Sequence, residues 1–173
     1  LTRIKTTPVQ QRRARLAGVQ SKRDERGKNG EVMKRPLVPI DGSEDALRAF
    51  AHALGELRGQ PAAELHVLNV QTPPIHPWPG KLVSPDVIAA ELRHAGEAIV
   101  AATERPAAVA GVACASHVRI GHAAAEIAEC ARELGCDAIV MGTRGLGRVA
   151  NIVLGSVAHK VVHLADVPVT LVR

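Results

Sequence analysis

"CDAIVMGTRGLGRVANIVLGSVAHKV", residues 136–161, joins an apolar run to a helical stretch through a loop carrying glycines at 142, 145, 147 and 155. Cys136 to Gly142 is a short, almost wholly apolar run and reads as a buried strand. Gly155-Ser156 then opens a short helix to about residue 164, and the chain closes on a further strand, "VPVTLVR", residues 167–173. Strand, crossover helix and strand in that order make a parallel βαβ unit.

Moving toward the N-terminus, the same alternation repeats. A helix over 122–134 closes with Gly135 and follows a strand at roughly 113–120. Ser84-Pro85-Asp86 announces a helix with a cap, a proline in the first turn and an acid at the positive end of the dipole; it is expected to run to about Thr103. "AELHVLNV" (63–70) is a strand. "SEDALRAFAHALGEL" is an amphipathic helix expected to bury Ala46, Leu47, Phe50, Ala51, Leu54 and Leu57. "PLVPIDGS" (36–43) is the first strand, ending in Asp41-Gly42, with Ser43 at the helix N-cap. Between the second strand and the Ser84 helix, "QTPPIHPWPGKLV" is Pro-rich and irregular. It holds the one Trp, Trp78, and is either a flap beside a pocket or a long connection. The order is βαβαβαβαβ, which demands a parallel sheet with helices on both faces, an α/β doubly wound fold in three layers. Ligands in such sheets sit beyond the carboxyl ends of the strands, where the strand order reverses. Asp41-Gly42-Ser43 and Met141-Gly142 mark two such ends chemically.

Exposed backbone N–H groups bind anionic oxygens, and a helix N-terminus adds unpaired donors and a positive dipole end. Gly155-Ser156 supplies that geometry, and Gly142 and Gly145 allow close backbone approach to a ligand. Charge-assisted hydrogen bonds contribute roughly 1.5–3 kcal/mol each, so three or four account for most of the roughly 8 kcal/mol of a micromolar complex. A phosphate chain fits this chemistry. The Walker pattern fails, because no Lys precedes Ser156. "GLGRVA" (145–150) is close to a dinucleotide fingerprint but stands in the last βαβ unit, with 23 residues left of the chain. The remaining plain reading is a surface loop whose glycines only permit turns.

The spacing G-x2-G-x9-G-[ST], met by Gly142, Gly145, Gly155 and Ser156, together with "LVPIDGS", "DAIVMGTRG" and the terminal "VPVTLVR", resembles the universal stress protein family over residues 35–173. The resemblance implies a five-stranded parallel sheet of order 3-2-1-4-5, adenine-nucleotide alpha hydrolase-like, and in the nucleotide-binding branch an ATP between strands one and four. It implies Pro39 and Asp41 on the base and ribose side, Val70 lining the adenine pocket, and Met141, Gly142 and Gly145 as floor and first phosphate contacts. Gly155, Ser156 and Val157 would surround the distal phosphates. Thr143 stands where Ser is common and keeps the hydroxyl. From the residues themselves, Asp41 is equally able to cap the following turn. Arg144 and Arg148 flank the loop, where they neutralise phosphates or are simply solvated. ADP or AMP would use the same contacts as ATP. Mg2+ would be held through the phosphates, since no acidic residue lies between Gly142 and Ala165.

No Glu or His is clearly placed by sequence as a base for hydrolysis, so a nucleotide-holding regulator with at most slow ATPase activity is expected, its ordered loop read by a regulatory protein partner. The alternative is a nucleotide-independent homodimer. Its last strand, Val167 to Val172, would lie at a sheet edge and pair with a second copy.

Composition narrows the classes further. The chain is 173 residues long and 46% hydrophobic, enough for one core. It has no long apolar span and no signal-like leader, which predicts a soluble, cytoplasmic protein. Residues 1–34 carry ten Lys and Arg against three acids, +7 of a total +5, leaving −2 on the rest. The globular part thus offers no electrostatic footprint for nucleic acid. The basic leader lacks the apolar residues to offset its ordering entropy, and the domain is expected to begin near Met33. Cys114, Cys130 and Cys136 lack metal or redox spacing and read as reduced apolar fillers. The eight histidines are scattered, and His159 and His163 at i, i+4 make an incomplete metal site.

Overall fold

The computed structural model describes residues 33–73, 84–145 and 154–173; the basic leader through residue 32, the Trp78 segment and Arg148 lie outside the described residues. The elements are β1 (Pro36–Pro39), α1 (Glu44–Leu57), β2 (Glu64–Gln71), α2 (Pro85–Ala110), β3 (Ala113–Ile120), α3 (Ala123–Glu133), β4 (Ala138–Gly142), α4 (Ser156–Leu164) and β5 (Val169–Val172). All neighbouring strands are parallel, in the order β3-β2-β1-β4-β5. The three-layer doubly wound sheet expected from the alternation is therefore present.

The period-2 geometry of each strand divides the core in two. Val38, Leu65, Val67 and Val140 point to α1 and α2, packing on Phe50, Leu57, Val100 and Ala107. Leu37, Leu68, Ile139 and Met141 point the other way, onto Ile127, Cys130, Ala158 and Val161 of α3 and α4. Each fully buried Leu or Ile stabilises the fold by roughly 1.5–3 kcal/mol relative to an exposed one.

Helix starts follow their caps. Ser43 Oγ accepts from the Ala46 N–H at 3.3 Å, and Ser84 Oγ accepts from Val87 at 3.3 Å with Pro85 following. Gly42, at φ +84°, makes the reversal that brings Ser43 into its cap. Two expectations need correction. α2 continues past Thr103 and Pro106 to Ala110, because Val100, Thr103 and Ala107 are all buried on one side of it; the helix stops where Gly111 turns left-handed. In α1 the buried face is Asp45, Ala46, Ala49, Phe50, Ala53 and Leu57, with Leu54 partly buried against the same core, while Leu47 and Ala51 are exposed. Small Ala49 and Ala53 let the helix lie close on the sheet, which turns Leu47 outward.

The cysteines are free. Cys130 and Cys136 are buried and Cys114 is half-buried. Burial pushes all three thiols up, Cys136 to about 12, which leaves them unreactive fillers.

Two of the scattered histidines meet across the sheet. His66 on β2 and His117 on β3 face α3, with Nδ1 of His66 and Nε2 of His117 3.1 Å apart. His66 Nε2 is buried, without a hydrogen-bond partner among the described residues, and lies 3.6 Å from the Glu64 carboxylate. The arrangement fits His66 protonated on Nε2, toward Glu64, with Nδ1 accepting from His117. Burial lowers the pKa of both rings. The Glu64 carboxylate opposes this at each of them, while Arg35 adds to it at His66, and His66 and Arg119 add to it at His117. A lowered histidine pKa means the unfolded chain binds more protons, so stability is fully present above the ordinary value of 6.5 and is lost as pH falls below it. The melting temperature is therefore expected to drop between pH 7.5 and pH 5. The H66Q/H117Q variant should lose less over that interval; an equal loss in both proteins would remove the pair from this account.

Candidate functional site

β1 and β4 are neighbours at the point where the strand order reverses, and they separate at their carboxyl ends. Their register holds only for Pro36 with Ala138 and Leu37 with Ile139. Ile40 donates its N–H to Leu68 of β2, so by alternation residue 39 faces β4, and Pro39 has no N–H to extend that ladder. β4 instead continues with β5 as far as Gly142. The gap left between the two strand ends is the mouth of a cleft of about 290 Å³.

All ten residues singled out by sequence line this cleft: Pro39, Asp41, Val70, Met141, Gly142, Arg144, Gly145, Gly155, Ser156 and Val157. Two are held there by close backbone approach. A Cβ on Gly142 would lie 2.7 Å from the Asp45 carbonyl carbon and 2.9 Å from the Ala46 nitrogen, so the end of β4 rests directly on the first turn of α1. A Cβ on Gly145 would lie 2.5 Å from Oδ2 of Asp41, across the mouth. The Gly155 N–H donates to the Thr143 carbonyl at 2.7 Å, which brings the two ends of the glycine loop together. Beyond it α4 begins with no side-chain cap, so the N–H groups of its first turn, at Ser156, Val157 and Ala158, have no carbonyl within the helix to bond.

Asp41 caps the following turn, as its position allowed, from the edge of the cleft. It lines the cleft, and its Oδ1 accepts from the Ser43 N–H at 3.0 Å. Arg144 is half-exposed, with Nε 3.6 Å from the buried Asp45 carboxylate. Sequence reading missed the apolar wall. Leu68, and Ala123 and Ile127 from α3, close the side opposite α1. Their periodicity marks them as core, and nothing local distinguishes a core face from a pocket wall. Asp45 was also missed, since an acid in a first helical turn ordinarily points to solvent. His159 and His163 stack edge to face with ring centroids 4.8 Å apart on the exposed side of α4, away from the cleft-lining residues. Among the described residues no group of three or more His, Cys, Asp or Glu is arranged to hold a metal.

Residues 33–173 match the family model described as the universal stress protein family. The chain belongs to that family. Universal stress protein YxiE of Bacillus subtilis is 33% identical over 149 residues, covering 82% of this chain and 100% of YxiE. Universal stress protein UspA of Lactobacillus plantarum superimposes with a TM-score of 0.68 at 25% identity, over 83% of this chain and 100% of UspA. Two further universal stress proteins share the fold. One, in complex with cAMP, has a TM-score of 0.58 at 22% identity, over 83% of this chain and 98% of its own. The other, from Arabidopsis thaliana with AMP bound, has a TM-score of 0.57 at 20% identity, over 80% and 90%. As a universal stress protein the chain has the strand order 3-2-1-4-5 that the resemblance implied. No helix among its described residues is long and apolar enough to cross a membrane.

Proposed function

We propose that this universal stress protein binds an adenine nucleotide, ATP with ADP or AMP as alternatives, in the cleft between β1 and β4 and acts as a cytoplasmic, nucleotide-holding regulator. One observation carries the reading: the residues of the uncapped first turn of α4 line the same cleft as the tightly packed glycines 142 and 145 and the end of β1. That is a cradle for phosphate at one end of a largely apolar slot suited to a base. Binding of AMP and cAMP by relatives of the same fold supports it.

In this reading Pro39, Asp41 and Val70 take the base and ribose, Met141, Gly142 and Gly145 the floor and first phosphate, and Gly155, Ser156 and Val157 the distal phosphates, with Arg144 alongside. Mg2+ is carried by the phosphates, because Asp41 is the one carboxylate lining the cleft among the described residues. Among the described residues Asp41 and Arg144 are also the only titratable side chains lining the cleft, and one Asp41 oxygen already accepts from Ser43. In this reading the protein holds the nucleotide, with slow hydrolysis at most. In this proposal the binding domain is the part matched by the family model, into which Met33 and Lys34 are already tied, Met33 against the core and Lys34 by its bonds to Asp137 and Glu64.

Mass spectrometry of small molecules released by heating freshly purified protein is expected to find an adenine nucleotide, and calorimetry to find micromolar ATP binding. Nucleotide-free protein that shows no heat with millimolar ATP would refute the reading.

A second reading rests on the sheet edge. β5 is a terminal strand, and Leu171 on it and Val162 and Leu164 on α4 are exposed. Pairing of the Val167–Val172 segment with a second copy would cover that edge and give a homodimer that needs no nucleotide. Light scattering at high micromolar concentration is expected to give twice the chain mass; a monomer there would exclude it.

A further inference from the structure

Arg144 stands between two competing partners. It lines the cleft, and it also lines a second cavity of about 190 Å³ bounded by Ser43, Glu44, Asp45 and Arg48. Asp45 is buried, with its side chain 9% exposed. Oδ1 pairs with Arg48, while Oδ2 accepts from the Thr143 hydroxyl at 3.4 Å and draws Arg144 Nε to 3.6 Å. The distances to Arg144 and Thr143 are held by packing, because bare Gly142 lets the strand end rest on the turn that carries Asp45. A carboxylate removed from water in this way attracts a guanidinium far more strongly than an exposed one does.

Resting on the nucleotide reading above, we infer that Asp45 is a positioning residue that holds Arg144 back from the phosphates and thereby sets how strongly this protein favours ATP over AMP. Part of the Arg144 charge is spent on Asp45, so a polyphosphate gains less from it than from an unengaged arginine. Neutralising Asp45 releases that charge to the cleft. Asn keeps the shape and an acceptor for Thr143, so the loop itself is retained.

The test is a double-mutant cycle in the full chain, reading ATP and AMP dissociation constants by calorimetry. Asp45→Asn is expected to tighten ATP about tenfold and AMP less than threefold, tenfold being about 1.4 kcal/mol. Arg144→Gln is expected to weaken ATP about threefold in the natural protein and about thirtyfold in the Asp45→Asn background. An unchanged ATP-to-AMP ratio in Asp45→Asn, weaker ATP binding, or an equal Arg144→Gln loss in both backgrounds overturns the inference while leaving nucleotide binding intact. If the natural protein binds neither nucleotide, both readings fall.

Should Asp45→Asn fail to fold, Arg48→Gln decides, since Arg48 is half-exposed and outside the main cleft. Removing it leaves Asp45 to bind Arg144 harder. ATP should then weaken about threefold in the natural protein and not at all in the Arg144→Gln background. A loss of the same size in both overturns the inference.

Discussion

Gly142→Ala is expected to lower the unfolding free energy by about 3 kcal/mol, the upper part of the range for overpacked sites. The added methyl would meet the Asp45 carbonyl carbon at 2.7 Å, Asp45 Cβ at 2.8 Å and the Ala46 nitrogen at 2.9 Å. Two of these are main-chain atoms in the first turn of α1, so no rotamer change relieves the contact. The turn must move away from β4, and with it go the Thr143 and Arg144 contacts to Asp45. For a domain of this size the loss corresponds to a fall in melting temperature of roughly 10 °C. Gly55→Ala is the control. That glycine is inside α1, and a Cβ there meets nothing within 4 Å. It should gain roughly 0.5–1 kcal/mol from helix propensity. Equal melting temperatures for natural protein and Gly142→Ala, by calorimetry or circular dichroism, would show that β4 and α1 are not packed as described.

Gly145→Val is expected to weaken nucleotide binding at least 100-fold, about 2.7 kcal/mol, with only a small change in melting temperature. A Cβ at this position lies 2.5 Å from Asp41 Oδ2, so valine must displace a residue proposed to meet the ribose and project its methyl groups into the mouth. The clash is with a side chain at the rim rather than with buried backbone, so the fold can yield where the ligand cannot. Gly145 and Gly142 thus separate two roles of glycine in one loop, the first proposed to admit a ligand and the second admitting a helix. Binding of ATP by Gly145→Val within threefold of the natural protein would place the ligand elsewhere.

Much of this was legible in the residues. Apolar runs alternating with capped helices dictated a parallel sheet, since only crossovers can join parallel strands. Ser43 and Ser84 cap where they were expected to, because a side-chain oxygen and an N–H three residues on are a local matter. Strand ends and glycines carry local signals, which pointed to Asp41, Gly142, Gly145, Gly155 and Ser156; Pro39, Val70 and Val157 came from the family resemblance, and all of them line the cleft. The end of α2 was not so readable: Pro106 and Gly111 both look like stops, and only burial of Thr103 and Ala107 against the sheet decides between them. Nor did the inward face of α1 follow from large side chains, since Ala49 and Ala53 took the contact that Leu47 was expected to make.

By itself, the order of residues determined the alternation of elements, the helix caps and the glycine-bearing loop, all of which depend on interactions within a few positions. Only the tertiary structure decided that Asp45 lies buried beneath Gly142, that Arg144 is shared between a carboxylate and a cleft, and that His66 meets His117. Those pairs are 97, 99 and 51 residues apart in the chain. Their approach is fixed by how closely strand and helix pack, a sum over many contacts that no short stretch of sequence contains.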